Sequence, residues 1–175
     1  MIVSAELPSG GEPADDEKRR DGRPRGGSRR RSVARLAAVQ AVYQLELNPG
    51  TEPESVVREF ARHRFGHEID GDQYAEADPA LFADIVRGVA ADQAELDSAI
   101  SAALTPDWPL PRLDSVLRAI LRAGAYELVH RRDVPPRVSI SEYTAVAYAF
   151  FTGKEPGLAN GVLDTLARNL RASEL

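Results

Sequence analysis

Along most of its length this chain repeats apolar side chains every three or four residues, and nowhere does an apolar–polar alternation of period two persist. That pattern leaves helices as the building material and predicts an all-α fold. Val33, Leu36, Ala37, Gln40, Tyr43 and Leu47 form the first stripe, which Asn48-Pro49-Gly50 ends. A short second helix is predicted from about Pro53 to Phe65, with Val56, Val57 and Phe60 inward. The polar, acidic stretch from Gly66 to Ala77 reads as a loop. Asp78 then reads as an N-cap before a first-turn Pro79, opening a long helix through Phe82, Ile85, Val86, Val89, Leu96 and Ile100. Gly88 in its middle costs about 1 kcal/mol relative to alanine, which close approach of a neighbouring helix would justify.

The run Thr105-Pro-Asp-Trp-Pro-Leu-Pro111 cannot be helical throughout, because each proline removes a donor and restricts the residue before it. It predicts a hinge between two three-helix halves, about residues 29–105 and 112–175, with Trp108 packed as a plug between them. A helix from about Arg112 to His130 carries Val116, Leu117, Ile120, Leu121 and Leu128, and Asp133-Val-Pro-Pro136 ends it. Ser139-Ile-Ser-Glu142 matches a capping box, predicting a helix start at Ser139 and burial of Tyr143, Val146, Ala147 and Phe150. The last helix runs from about Leu158, with Val162, Leu163, Leu166 and Leu170 inward.

Charge is distributed unevenly. The whole chain of 175 residues carries −5, yet Lys18 to Arg35 sets nine basic residues against Asp21 alone, a net of +8. Such a stripe suits a polyanion, since arginine forks onto phosphate oxygens and releases counterions. Residues 1–28 hold almost no large apolar side chains after Leu7, which predicts a disordered tail ahead of one domain over 29–175. The absence of cysteine removes disulfides, thiol nucleophiles and zinc-finger patterns, and suits a reducing cytoplasm. No apolar run approaches the roughly 20 residues needed to cross a bilayer, and the first residues do not read as a secretory signal.

Catalytic and metal-binding patterns are incomplete. His63 and His67 are four apart, but two imidazoles do not make a zinc site. Glu68, Asp70, Asp72 and Glu76 resemble part of a calcium loop, but the pattern of alternating ligands, central glycine and terminal glutamate is incomplete. Gly153-Lys154 has neither the upstream glycine nor the strand of a phosphate-binding loop. No acid, base and oxyanion donor assemble, so no enzymatic activity, cofactor or metal is predicted.

Three stretches together resemble the NusB family of transcription antitermination factors. They are Arg29-Arg-Arg-Ser-Val-Ala-Arg-Leu-Ala-Ala-Val-Gln-Ala-Val-Tyr-Gln44, Phe82-Ala-Asp-Ile-Val-Arg-Gly-Val89, and a third region from Leu117 to Arg168. The third contains Leu121-Arg-Ala-Gly-Ala-Tyr-Glu-Leu128, Asp133-Val-Pro135, Ile140-Ser-Glu142 and Ala159-Asn-Gly-Val-Leu-Asp164. The likeness spans roughly residues 29–170. It implies a factor that binds boxA RNA of nascent ribosomal RNA transcripts together with the ribosomal protein NusE. With other Nus factors on RNA polymerase, such a factor suppresses premature termination. The RNA-binding residues it implies are Arg29, Arg30, Arg31, Arg35, Tyr43 and Lys154, and the NusE surface falls on the carboxyl-terminal half, expected on the outer face of the helix from Arg112 to His130. On this reading, replacing Arg31 and Arg35 weakens RNA binding and leaves the fold intact, while the Lys18 to Arg25 cluster extends the RNA track. Ser141 stands where the family motif usually carries asparagine, and Pro156-Gly157 replaces polar and basic residues of the RNA-facing loop. The alternative is a non-catalytic RNA- or protein-binding adaptor related to the amino-terminal module of ribosomal RNA cytosine methyltransferases. The methyltransferase itself is set aside because a Gly-rich cofactor domain is missing before Leu175.

Overall fold

The computed structural model describes residues 26–65 and 77–175, plus the backbone of a two-residue antiparallel ladder, Glu68–Ile69 with Asp72–Gln73, between them. The expected disordered tail and the Lys18 to Arg25 cluster lie outside the described residues. Among the described residues six α-helices build the fold: α1 (Gly26–Leu47), α2 (Pro53–His63), α3 (Pro79–Ala103), α4 (Ser115–His130), α5 (Pro136–Phe150) and α6 (Glu155–Arg171). All-α is the class, as the periodicity requires. The first helix begins a turn earlier than its apolar stripe, so Arg29, Arg30 and Arg31 are already helical.

Local signals set most boundaries. The Asp78 carboxylate accepts from the backbone N–H groups of Ala80 and Leu81, with Pro79 in the first turn. Asp114 does the same for Val116 and Leu117, so α4 starts three residues later than predicted, after a 3₁₀ turn over Leu110–Arg112. The capping box is corrected. Helix α5 starts at Pro136, and Ser139 lies within it, buried, its Oγ without a hydrogen-bond partner. Proline needs no N–H partner at a helix start, so Pro135-Pro136 overrides the Ser–Glu spacing.

One helix organises the rest. Leu117 and every residue from Ala119 to Leu128 are buried, because α4 is surrounded by α1, α3, α5 and α6. Phe60 stacks on Phe82 at 5.2 Å and Phe65 meets the same ring edge-on at 4.9 Å, fastening α2 to α3. Gly88 behaves as predicted: a Cβ there would fall on Cε2 and Cζ of Tyr126, where α3 crosses α4. The Tyr126 hydroxyl donates to Asp84 Oδ1 at 2.9 Å, and burial followed by that carboxylate pushes the phenol up to about 12.

Two outcomes follow from this crossing. Gly88→Ala gains helix propensity but overpacks the crossing, so stability measured by urea unfolding falls by about 1–3 kcal/mol; a gain would mean the helices do not meet there. The folded phenol of Tyr126 titrates above its ordinary 10.0, so its stabilising contribution is complete below pH 10 and drains as pH climbs towards about 12. Tyr126→Phe should flatten that alkaline limb of the stability profile.

Candidate nucleic-acid interface

The basic residues of α1 do not all face the same environment. Helical spacing places Arg31 and Arg35 one turn apart, yet Arg31 is exposed and Arg35 is only 3% accessible. Arg35 Nε donates to both carboxylate oxygens of Glu127 at 3.1 and 3.0 Å, and Nη2 donates to Oε1 at 2.6 Å. Glu142 Oε2 lies 3.7 Å from Nη1. The Tyr143 hydroxyl donates to Glu127 Oε2 at 2.7 Å, and burial drives this phenol well above its usual range, Glu127's charge and hydrogen bond adding to the shift. For Arg35, burial works to lower the pKa, but the hydrogen bond and charge of Glu127 outweigh it and the net shift is upward.

The expectation that Arg35 touches RNA is therefore corrected. Its fork is spent on a carboxylate inside the molecule, and freeing it would strand Glu127, which is fully buried. Sequence spacing shows that two arginines share a helix face; it does not show that the helix turns part of that face inward at Arg35.

Arg29, Arg30 and Arg31 are exposed at the mouth of α1. The Arg30 carbonyl accepts from the backbone N–H of Asp78, fixing this turn against the start of α3. Asp133 in the α4–α5 turn has a lowered pKa, caused first by its hydrogen bond from Arg131 and with a smaller contribution from Arg31. Arg132, 62% exposed, sits in the same turn and pairs with Glu174 at 3.4 Å.

Tyr43 lies about 18 Å further along α1 from Arg31, twelve residues at 1.5 Å each. It is half-buried against the core and lines a groove of about 400 Å³ with Gln40, Gln44, Phe60, Arg64 and Phe150. Lys154 is exposed at the mouth of α6, in a pocket with Trp108 and Arg112 beside the first turn of α4. Val116 lines the Tyr43 groove and Leu117 the Lys154 pocket, so these two sites adjoin, while the α1 arginines lie at the opposite end. Trp108 is also corrected: it is 51% exposed rather than a plug, because the proline turns carry it outward. The partner surface expected on α4 is ruled out by burial, since that helix has no outer face over most of its length.

At the far end of α4, Arg118 pairs with Glu46, and Arg122 bridges Glu46 at 2.8 Å and Asp97 at 2.7 Å. These pairs tie α1, α3 and α4 together and occupy the inward cations of α4. No group of three potential metal ligands and no helix suited to crossing a membrane occurs among the described residues.

The described residues thus form a six-helix bundle with exposed cations at one helix mouth and a lysine beside an exposed tryptophan at the other end. The NusB family model matches residues 32–168. A transcription antitermination protein NusB from Rhodopseudomonas palustris is 54% identical over 145 residues, 83% of this chain and 85% of that protein. The Brucella ovis protein of the same name is 57% identical over 142 residues, covering 81% and 82%. Among solved structures, Thermotoga maritima NusB aligns with TM-score 0.67 and 28% identity over 83% of this chain and 95% of that one. A crystal structure of the antitermination factors NusB and NusE in complex with double-stranded RNA aligns with TM-score 0.62 and 26% identity, over 81% and 98%. The chain belongs to the NusB family of transcription antitermination factors.

Arg35→Ala should cost about 3–5 kcal/mol of folding stability, since it leaves a buried carboxylate without its cation. Arg35→Met combined with Glu127→Leu should recover much of that loss in urea melts. A stable single mutant would show that the pair is not structural.

Proposed function

We propose that this chain binds boxA RNA of nascent ribosomal RNA transcripts jointly with NusE, and that the complex suppresses premature termination in the cytoplasm with other Nus factors on RNA polymerase. The observation that carries the reading is the exposed mouth of α1, where Arg29 and Arg31 face solvent on a turn pinned to α3. Guanidinium groups so placed hold phosphate oxygens without disturbing the core. Arg30 shares that turn. Tyr43 and Lys154 form a second contact region, and the Lys18 to Arg25 cluster lengthens the electrostatic track.

With α4 enclosed, the carboxyl-terminal surface left for NusE is the outer side of α5 and α6. Tyr148 is 69% exposed there, and Val138 and Leu170 are also uncovered. A groove of about 550 Å³ runs between the helices past Ile140, Thr144 and Asn160. Apolar side chains left in water beside such a groove suit a protein partner better than a phosphate chain.

The test is RNA binding by the full chain with NusE, titrated with boxA RNA and a scrambled RNA of equal length over a salt series. Arg29→Ala with Arg31→Ala should weaken boxA binding by about 1–3 kcal/mol, as expected for charge-assisted contacts. It should also flatten the slope of log K against log salt by about 1.4, at roughly 0.7 per phosphate contact. Co-purification with NusE should be unaffected. Equal affinity for both RNAs, or an unchanged salt slope in the double variant, would overturn the reading.

A further inference from the structure

The linker between α3 and α4 holds its large aromatic side chain out in water on a stiff support. Trp108 is the chain's one tryptophan, and it is 51% exposed. Its backbone N–H donates to the Thr105 carbonyl at 3.0 Å, and the next turn closes with Arg112 N–H donating to Pro109 at 2.9 Å. Pro106, Pro109 and Pro111 fix φ through the same stretch, so little chain entropy remains to be lost when something binds. An exposed indole on a rigid turn is poorly explained by packing.

What surrounds it is specific. Trp108 borders a cavity of about 330 Å³ whose apolar wall is Leu113, Leu117 and Leu158, with Arg112 and Lys154 on its rim. Two carboxylates also line it. Asp114 is committed to its own helix, accepting from Val116 N–H at 2.8 Å and Leu117 N–H at 3.4 Å. Glu155 lies in the first turn of α6 with its Oε2 folded over Gly153, buried and without any hydrogen-bond partner. A shielded carboxylate oxygen with no donor is costly, and turning it outward to meet a ligand's donor in the cavity would remove that cost.

We infer that this cavity receives one unstacked base of single-stranded RNA, stacked on Trp108, with its flanking phosphates held by Arg112 and Lys154 and its exocyclic amino group donating to Glu155. Unpaired RNA bases are recognised by stacking on aromatic side chains together with hydrogen bonding at their edges. The amino group favours adenine, cytosine or guanine over uracil, which offers only a ring N–H between two carbonyl acceptors. An acidic peptide would suit the two cations but would set its own carboxylates against Glu155. This inference rests on the RNA-binding reading and assigns that reading a specificity pocket at the end of the molecule away from the α1 arginines.

Trp108 supplies its own probe. With the full chain and NusE, titration of boxA RNA should quench tryptophan emission saturably, measured as the difference from a Trp108→Phe complex. Trp108→Ala should weaken binding about tenfold or more, in the range set by losing one stacked base. Trp108→Phe should stay within about threefold, since it keeps a stacking face. Oligoadenylate should bind better than oligouridylate, and Glu155→Gln should shrink that preference. The indole is exposed, so the variants should keep the wild-type circular dichroism. RNA affinity within twofold of wild type for Trp108→Ala would overturn the pocket while leaving the α1 reading intact. Loss of NusE binding by Trp108→Ala in the absence of RNA would also overturn it, marking a protein surface instead. Failure of the wild-type complex to bind any RNA would overturn both readings.

Discussion

The guanidinium of Arg35, shut inside the molecule on the Glu127 carboxylate, sets the position of the opening helix. Three donor contacts from Arg35 and one from Tyr143 converge on a single side chain of α4, so α1, α4 and α5 meet at one polar point in an apolar interior. Such a cluster contributes little net stability compared with well-packed apolar residues, but it penalises any arrangement that breaks it. A helix packed only through alanine and valine can slide or rotate by a turn at small cost. One that must deliver a planar fork to one carboxylate cannot, and the arginines a turn earlier are held outward as a result.

The other end of the same helix pair is fixed by different chemistry. Glu46 near the end of α1 takes both Arg118 and Arg122, and Asp97 on α3 takes the second fork of Arg122. Between these polar anchors the contacts are apolar, and Gly88 lets α3 come against the Tyr126 ring. The result is a rod, α4, held along its length by neighbours on all sides. Its two ends present what the surface has to offer: arginines and the Asp133 turn at one, an indole, a lysine and a tyrosine groove at the other.

Much of this was legible in the sequence. The 3.6-residue period gave six helices, Asp78-Pro79 marked the start of α3, and Gly88 signalled a close crossing. What was not legible depended on tertiary placement. Ser139 and Glu142 have the spacing of a cap, but two prolines upstream had already started the helix, and Glu142 instead faces Arg35. Trp108 is the kind of side chain that usually packs, yet the prolines around it direct it outward. The family resemblance points to a free outer face on the helix from Arg112 to His130, and the structure leaves none over most of its length. Ala119, Ala123 and Ala125 are small enough to be buried on the remaining sides, a distinction that periodicity does not make. Arg35 is the least legible of these residues, because an arginine in a basic run gives no local sign that its partner lies 92 residues away.

The Arg35–Glu127 pair also sets a limit on how far the amino terminus can be trimmed. The described residues up to the turn bearing Arg29 to Arg31 are exposed and can be removed without reaching the interior. One turn more takes Arg35 with it, and the buried Glu127 carboxylate keeps only the Tyr143 hydroxyl and no cation. Shortening the chain therefore passes abruptly from adjusting its grip on a ligand to unmaking the bundle, and the boundary falls within a single helical turn.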